Sequence, residues 1–321
     1  MVDYIHIWVE NPNILAVLKH PLLYESFNML VGSNTAEIKG KQVRAVHKNI
    51  EFNIIDNHYL DIKGSIHKYS KGGSNHTDFS FDDLVFTIKE FCHTFYINPN
   101  QAIIKSFEFG VNLSLIPKIY IDAAIIHQTT QPNIIDFNGS GLMKVFCHQQ
   151  YNFKLYDKSA EVRSNKPILR VEFKVKKMAV IKNVNISSLF DLLDLGKIRK
   201  LKKYLVKPIS EIIFCEIIEN RALNTTNSLL YANASSSNYW KKLSIDDREK
   251  FKYYRKKVNK INIKFGSNTR RILISEIEKK FNYLNNRETF NCVISPKLTH
   301  YFPRINQHFI INKSPYLNQI L

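Results

Sequence analysis

A chain of 321 residues with 44% hydrophobic side chains has enough apolar mass for a full core and more length than one typical domain needs, so two domains are expected. A formal charge of +18 and 12% aromatic residues favour a polyanionic partner, nucleic acid first, and supply rings for base stacking as well as for packing. The four cysteines (Cys92, Cys147, Cys215, Cys292) include no close pair, which argues against a zinc module or a disulfide framework. No basic leader precedes an apolar segment and no apolar run is long enough to span a bilayer, so a cytoplasmic protein without a membrane partner is expected.

In chain order, Val2 to Val9 alternates with both faces fairly apolar, as an inner strand does. Ile14 to Leu30 has helix-like spacing broken by Pro21, and Lys39 to Lys63 reads as a meander of antiparallel strands. Gly64 to Tyr69 leads into a polar loop, Lys71 to His76. Ser80 then offers an N-cap with Asp83 at the capping-box position, and Leu84, Ile88, Phe91 and Phe95 share one helix face. Ile103 to Leu115 is the clearest strand: Phe107, Phe109, Val111 and Leu113 point one way, Glu108 and Asn112 the other. Ile119 to Ile126 is apolar, and 136–141 is a loop. Phe146 to Lys177 reads as a hairpin whose free face carries Lys154, Tyr156, Arg170 and Lys174 around Glu172. An ordinary cross-strand ion pair on a solvated face explains the same residues.

Beyond Met178 the character turns basic and helical. Lys197, Arg199, Lys200, Lys202, Lys203 and Lys207 share one helix that Pro208 kinks or splits before an apolar helical run to Ile218. Leu223 to Asn238 reads as a loop or linker. Ser244 is expected to cap a helix bearing Arg248, Lys250, Lys252, Arg255, Lys256 and Lys257, and a last helix follows Gly266 from about Asn268 to Leu284. Two basic helices around a turn allow a helix-turn-helix reading, against the plainer one of solvated amphipathic helices. The tail from Asn285 is unassigned.

No Gly-x-Ser-x-Gly elbow, Walker A loop or dinucleotide fingerprint is present, and no two histidines are two residues apart. The polar strand faces offer His67, Glu108 with Asn112, and Glu172 with Lys154 and Lys174. Carboxylates and an imidazole suit Mg²⁺ or Mn²⁺, which could polarise a phosphate for attack by a tyrosine hydroxyl.

Four segments resemble motifs of the rolling-circle replication initiators of filamentous phages and plasmids, the gene II and Rep group. They are Gly64-Ser65-Ile66-His67-Lys68 with the 72–76 loop, Ser106 to Asn112, Lys154 to Glu161 with its Tyr-Asp-Lys, and Leu169-Arg170-Val171-Glu172 to Lys176. They occur in the family's order. The resemblance implies an α+β protein: an antiparallel sheet of roughly five strands backed by helices over 1–180, then a basic, mostly helical DNA-binding region over 181–321. It implies metal-dependent nicking and religation of single-stranded or cruciform origin DNA in a phage, plasmid or other mobile element, with host helicase and polymerase as partners. Glu108, Glu172 and His67 would hold the metal, and Lys154 and Tyr156 would stand in the catalytic site. The aligned nucleophile positions are Val145 and Phe146, so Tyr151 would take that role, and a catalytically silent, sequence-specific DNA-binding protein is the alternative. Lys68, Arg170, Lys174, Lys176, Lys200, Lys202, Lys203, Arg255 and Lys256 are the expected DNA contacts.

Overall fold

The computed structural model describes residues 1–10, 12–24, 28–31, 38–56, 58–137, 139, 141–218 and 223–286; the tail after Asn286, with Cys292, lies outside them. The strands are β1 (Val2–Val9), β2 (Asn28–Val31), β3 (Ile38–His47), β4 (Ile50–Ile55), β5 (Tyr59–Ser65), β6 (Ala102–Leu113), β7 (Ala124–His127), β8 (Pro132–Asp136), β9 (Leu142–Cys147), β10 (Tyr151–Asp157), β11 (Leu169–Val175) and β12 (Ile212–Phe214). The helices are α1 (Ile14–Leu18), α2 (Pro21–Tyr24), α3 (Ile66–Ser70), α4 (Phe81–Thr94), α5 (Pro117–Ala123), α6 (Lys158–Val162), α7 (Leu195–Lys200), α8 (Lys202–Glu211), α9 (Thr225–Ala234), α10 (Ser237–Asp246), α11 (Arg248–Phe265) and α12 (Thr269–Leu284).

The fold is α+β, as expected, but the sheet has ten strands, in the order β2-β3-β4-β5-β1-β6-β11-β10-β9-β8, where about five were expected. Every neighbouring pair in it is antiparallel. β1, apolar on both faces by sequence, is central and pairs with β5 and β6. One sheet face is the core. Phe52 of β4 packs on Phe91 of α4 and on Phe95, which caps that helix, and a chain of rings runs from Phe107 through Phe109 to Phe173 and on to Tyr204 of α8. The Ser80–Asp83 capping box forms as its spacing predicts and fixes where α4 begins.

Other expectations are corrected. The 14–30 segment yields two short helices and then β2. The 136–141 loop follows an unexpected strand, β8, and the hairpin loop contains α6, capped by Asp157. The run after Pro208 leaves the helix at Ile212 as β12, which pairs with β7. The Ser/Asn/Ala-rich 223–238 stretch is mostly α9, anchored by buried Leu230 and Ala234 and by a hydrogen bond from the Tyr231 hydroxyl to the Glu216 carbonyl oxygen (3.0 Å). Ser244 lies inside α10; Asp247 caps α11, its carboxylate accepting from the Lys250 amide at 2.9 Å.

The apolar core crosses residue 180. Ile198, Leu201, Leu205 and Ile209, with Leu273, Ile277, Phe281 and Leu284 of α12, belong to the same buried cluster as the sheet. A smaller cluster gathers Ile126, Ile213, Trp240, Phe251 and Val258.

Candidate functional site

The second sheet face is polar, and its centre lies across β10, β11 and β6. Period-two alternation and register produce three rows there: Asn152–Lys174–Glu108, Lys154–Glu172–Gly110 and Tyr156–Arg170–Asn112. Three of the four motif-bearing segments thus meet, and the fourth reaches them through Ser65 and the 72–76 loop. Gly110 makes the middle row feasible, because a Cβ there would stand 2.3 Å from the Val171 carbonyl oxygen.

Lys154 bridges the two glutamates, donating to Glu108 Oε2 at 2.9 Å and Glu172 Oε1 at 2.6 Å. Lys174 Nζ lies 2.8 Å from Glu108 Oε1. The remaining oxygen, Glu172 Oε2, accepts from Arg170 Nε at 2.8 Å and from the Tyr156 hydroxyl at 3.3 Å. Each of the four carboxylate oxygens therefore faces a cation. Burial alone would raise the Glu172 pKa, but Arg170 and Lys154 outweigh it and hold the carboxyl below the usual range. Glu108 moves the other way, raised by burial and by the charge of Glu172. Burial would lower Lys154, yet the two glutamates hold it above its ordinary value.

Arg170 is the hub of the neighbouring row. It donates to Asp3 Oδ2 at 2.5 Å, Asn112 Oδ1 at 3.2 Å and the Asn75 carbonyl at 3.3 Å. Asp3 accepts from Ser65 Oγ and from Asn75 Nδ2, the latter at 2.7 Å, while Asn112 donates to the His76 carbonyl at 3.0 Å. The Gly/Asn/His loop is thereby tied across this end of the face. Asp3 was missed by the sequence reading. A bulge in β1 between Val2 and Ile5 accompanies its approach to Arg170, and single-strand parity carries no sign of it.

The residues singled out from sequence fall in several places. Glu108, Glu172, Lys154 and Tyr156 share the polar face. Tyr156 is buried at 5% exposure, and burial raises its hydroxyl well above the ordinary value. Tyr151 has the opposite parity. It lies on the core side, stacked on Phe173 (4.7 Å) and His148 (4.5 Å), with burial pushing its hydroxyl up to about 12. His67 is 1% exposed and stacks on Phe79 at 4.6 Å, with neither ring nitrogen hydrogen-bonded. Burial, with the charge of Arg170 adding, lowers its pKa to about 2. Arg170 is 2% exposed and enclosed by its partners, so it is corrected from a DNA contact to an internal brace. Lys176, Lys200, Lys203 and Lys256 are exposed; Lys68, Lys174, Lys202 and Arg255 are half-buried. Of these, Lys176 donates to the His148 carbonyl (2.8 Å), Lys202 to Asn282 Oδ1 (3.2 Å) and Arg255 to the Glu211 carbonyl (3.3 Å).

These residues do not fit a divalent cation. Among the described residues no three His, Cys, Asp or Glu side chains are grouped to hold one. The two glutamates that do meet are closed around an ammonium and flanked by a second ammonium and a guanidinium. A metal would have to expel Lys154 from between them, against a partner set that already neutralises both acids.

No family model matches the chain, and no curated protein matches it. Among solved structures, a rolling-circle replication initiator protein from Geobacillus stearothermophilus aligns at a TM-score of 0.36 and 10% identity, covering 71% of this chain and 89% of that one. At that level the likeness assigns no residue a role. Among the described residues no helix is long and apolar enough to cross a membrane.

Proposed function

We propose that this is a DNA-binding replication-initiation protein of a mobile element that holds origin DNA without nicking it through Glu108 and Glu172. The observation that carries the reading is the meeting of three of the four motif-bearing segments on one polar sheet face, with the fourth tied to it through Ser65 and the 72–76 loop. The Glu108–Lys154–Glu172 cluster then serves as an internal brace of that face, and the net charge of +18 supplies the attraction to phosphate. Initiation would hand the bound DNA to host helicase and polymerase.

Nicking is the second reading, favoured by the hydroxyl of Tyr156 reaching Glu172 beside Lys154. Incubation with single-stranded origin-type DNA and Mn²⁺, followed by denaturing electrophoresis, separates the two. We expect salt-sensitive binding and no covalent adduct. An adduct would replace the binding reading with the enzymatic one, and its loss in Tyr156→Phe but not Tyr151→Phe would name the nucleophile.

A further inference from the structure

We propose that the polar face carries a second site, a shelf for unpaired bases built from Trp8, Tyr59 and Lys105, whose ligand is single-stranded nucleic acid. This rests on the DNA-binding reading and adds where a single strand is held and by what chemistry. Trp8 on the central strand β1 is 45% exposed, and Tyr59 at the start of β5 is 57% exposed. Trp8 lies opposite Asp61, two residues from Tyr59, so both rings stand on the polar face; their centroids are 6.4 Å apart at 39°. In β6 the pairing passes from His6↔Ser106 to Ile7↔Ile104, which leaves Lys105 as the bulged residue. Its ammonium reaches back over the Trp8 ring, 4.4 Å from the centroid.

Single exposed aromatics are common and mean little. Here two rings and a cation converge on interior strands of the sheet, where β1 ends and β5 begins, and not on an edge strand. Two acids on these strands are already occupied: Asp61 by His6 (2.5 Å) and Lys63 (3.6 Å), Glu51 by Arg44 (2.6 Å) and Lys63 (3.7 Å). A second ring–cation pair, Lys174 over Tyr4 at 5.4 Å, continues the track toward Glu108. Rings that accept any base, with ammonium groups beside them to meet the phosphates, are the chemistry by which single strands are held irrespective of sequence. Duplex DNA, its bases already stacked, has no use for the rings.

The molecule carries its own reporter. It has two tryptophans, and Trp240 is fully buried with its Nε1 donating to the Ala234 carbonyl at 2.7 Å, so quenching by an added strand reads Trp8. Oligothymidine should quench the fluorescence saturably. With the anisotropy of a dye-labelled oligothymidine as the readout for variants that lack the reporter, Trp8→Ala should weaken binding by about 5- to 150-fold, the range expected for losing one base stack, with duplex affinity held within about twofold. Trp8→Phe should restore most of the loss, and Tyr59→Ala, at a more exposed ring, should reproduce part of it. Far-ultraviolet circular dichroism checks that each variant folds. Folded Trp8→Ala and Tyr59→Ala proteins that bind oligothymidine as tightly as the parent overturn the shelf and leave the DNA-binding reading standing; so does an equal loss for single strand and duplex. Failure of the parent to bind either nucleic acid overturns both.

Discussion

Lys154 is the residue on which the polar face turns. Its ammonium separates two glutamates of which Glu172 has only 3% of its side chain exposed and Glu108 only 12%. Removing one partner of a buried charge set is far costlier than never having built it, because the remaining charges keep their desolvation and lose their compensation. Lys154→Met should therefore cost about 3–5 kcal/mol in urea unfolding at neutral pH. The loss should shrink as the pH falls into the acid range, because Glu108, whose pKa is raised by burial and by Glu172, takes up a proton and relieves the repulsion. The histidines make a separate prediction. His67 is held near a pKa of about 2 and His127 near about 4, both by burial first, against about 6.5 in an unfolded chain. Between about pH 4 and 6 the unfolded state thus binds protons that the folded state refuses. Stability from these groups is present above about pH 6.5 and lost as the pH falls below it. His67→Leu should reduce the slope of stability against pH in that window by about 1.4 kcal/mol per unit, measured by denaturant titration. An unchanged slope would mean that His67 is protonated in the folded protein.

At the scale of elements, what alternates was legible and what depends on partners was not. β1, β6 and the β10–β11 pair follow from period-two spacing, and the pairing of Lys154 with Glu172 follows from the hairpin. The convergence of Glu108 with Glu172 was not legible in spacing, which sets each acid opposite its own strand's phenylalanines but does not pair β6 with β11; only the family resemblance implied it. Parity also rules Tyr151 out of that face: it is an odd-numbered neighbour of Phe153 and Leu155, and β10 already begins at Tyr151. The choice of Tyr151 rests on its being the tyrosine nearest Val145 and Phe146, the positions to which the family resemblance points, and strand parity overrides it. α9 was not legible, because its Asn, Ser and Thr residues have weak helix propensity and its stability comes from Leu230, Ala234 and Tyr231 meeting distant chain. β12 was misread for a related reason. Its three apolar residues, Ile212 to Phe214, fit either period, and only the pairing with β7 decides between them.

Across the whole molecule, the basic second half is not an appendage. α7, α8 and α12 put Ile198, Leu205, Ile277 and Phe281 into the core beneath the sheet, and Lys280 of α12 closes an ion pair with Asp78 at 2.7 Å. Among the described residues the polar face and these helices thus share one core, in a chain whose net charge is +18. On this account the face is preorganised by its own cations and needs no metal ion. Electron paramagnetic resonance tests that most directly, because Mn²⁺ loses its six-line solution signal when a protein binds it. Titrating the protein with Mn²⁺ should leave the signal as large as in buffer, with no difference between the parent and Glu172→Gln. Stoichiometric loss of the signal in the parent that Glu108→Gln or Glu172→Gln abolishes would contradict the account, and would show that Lys154 yields its place to a metal.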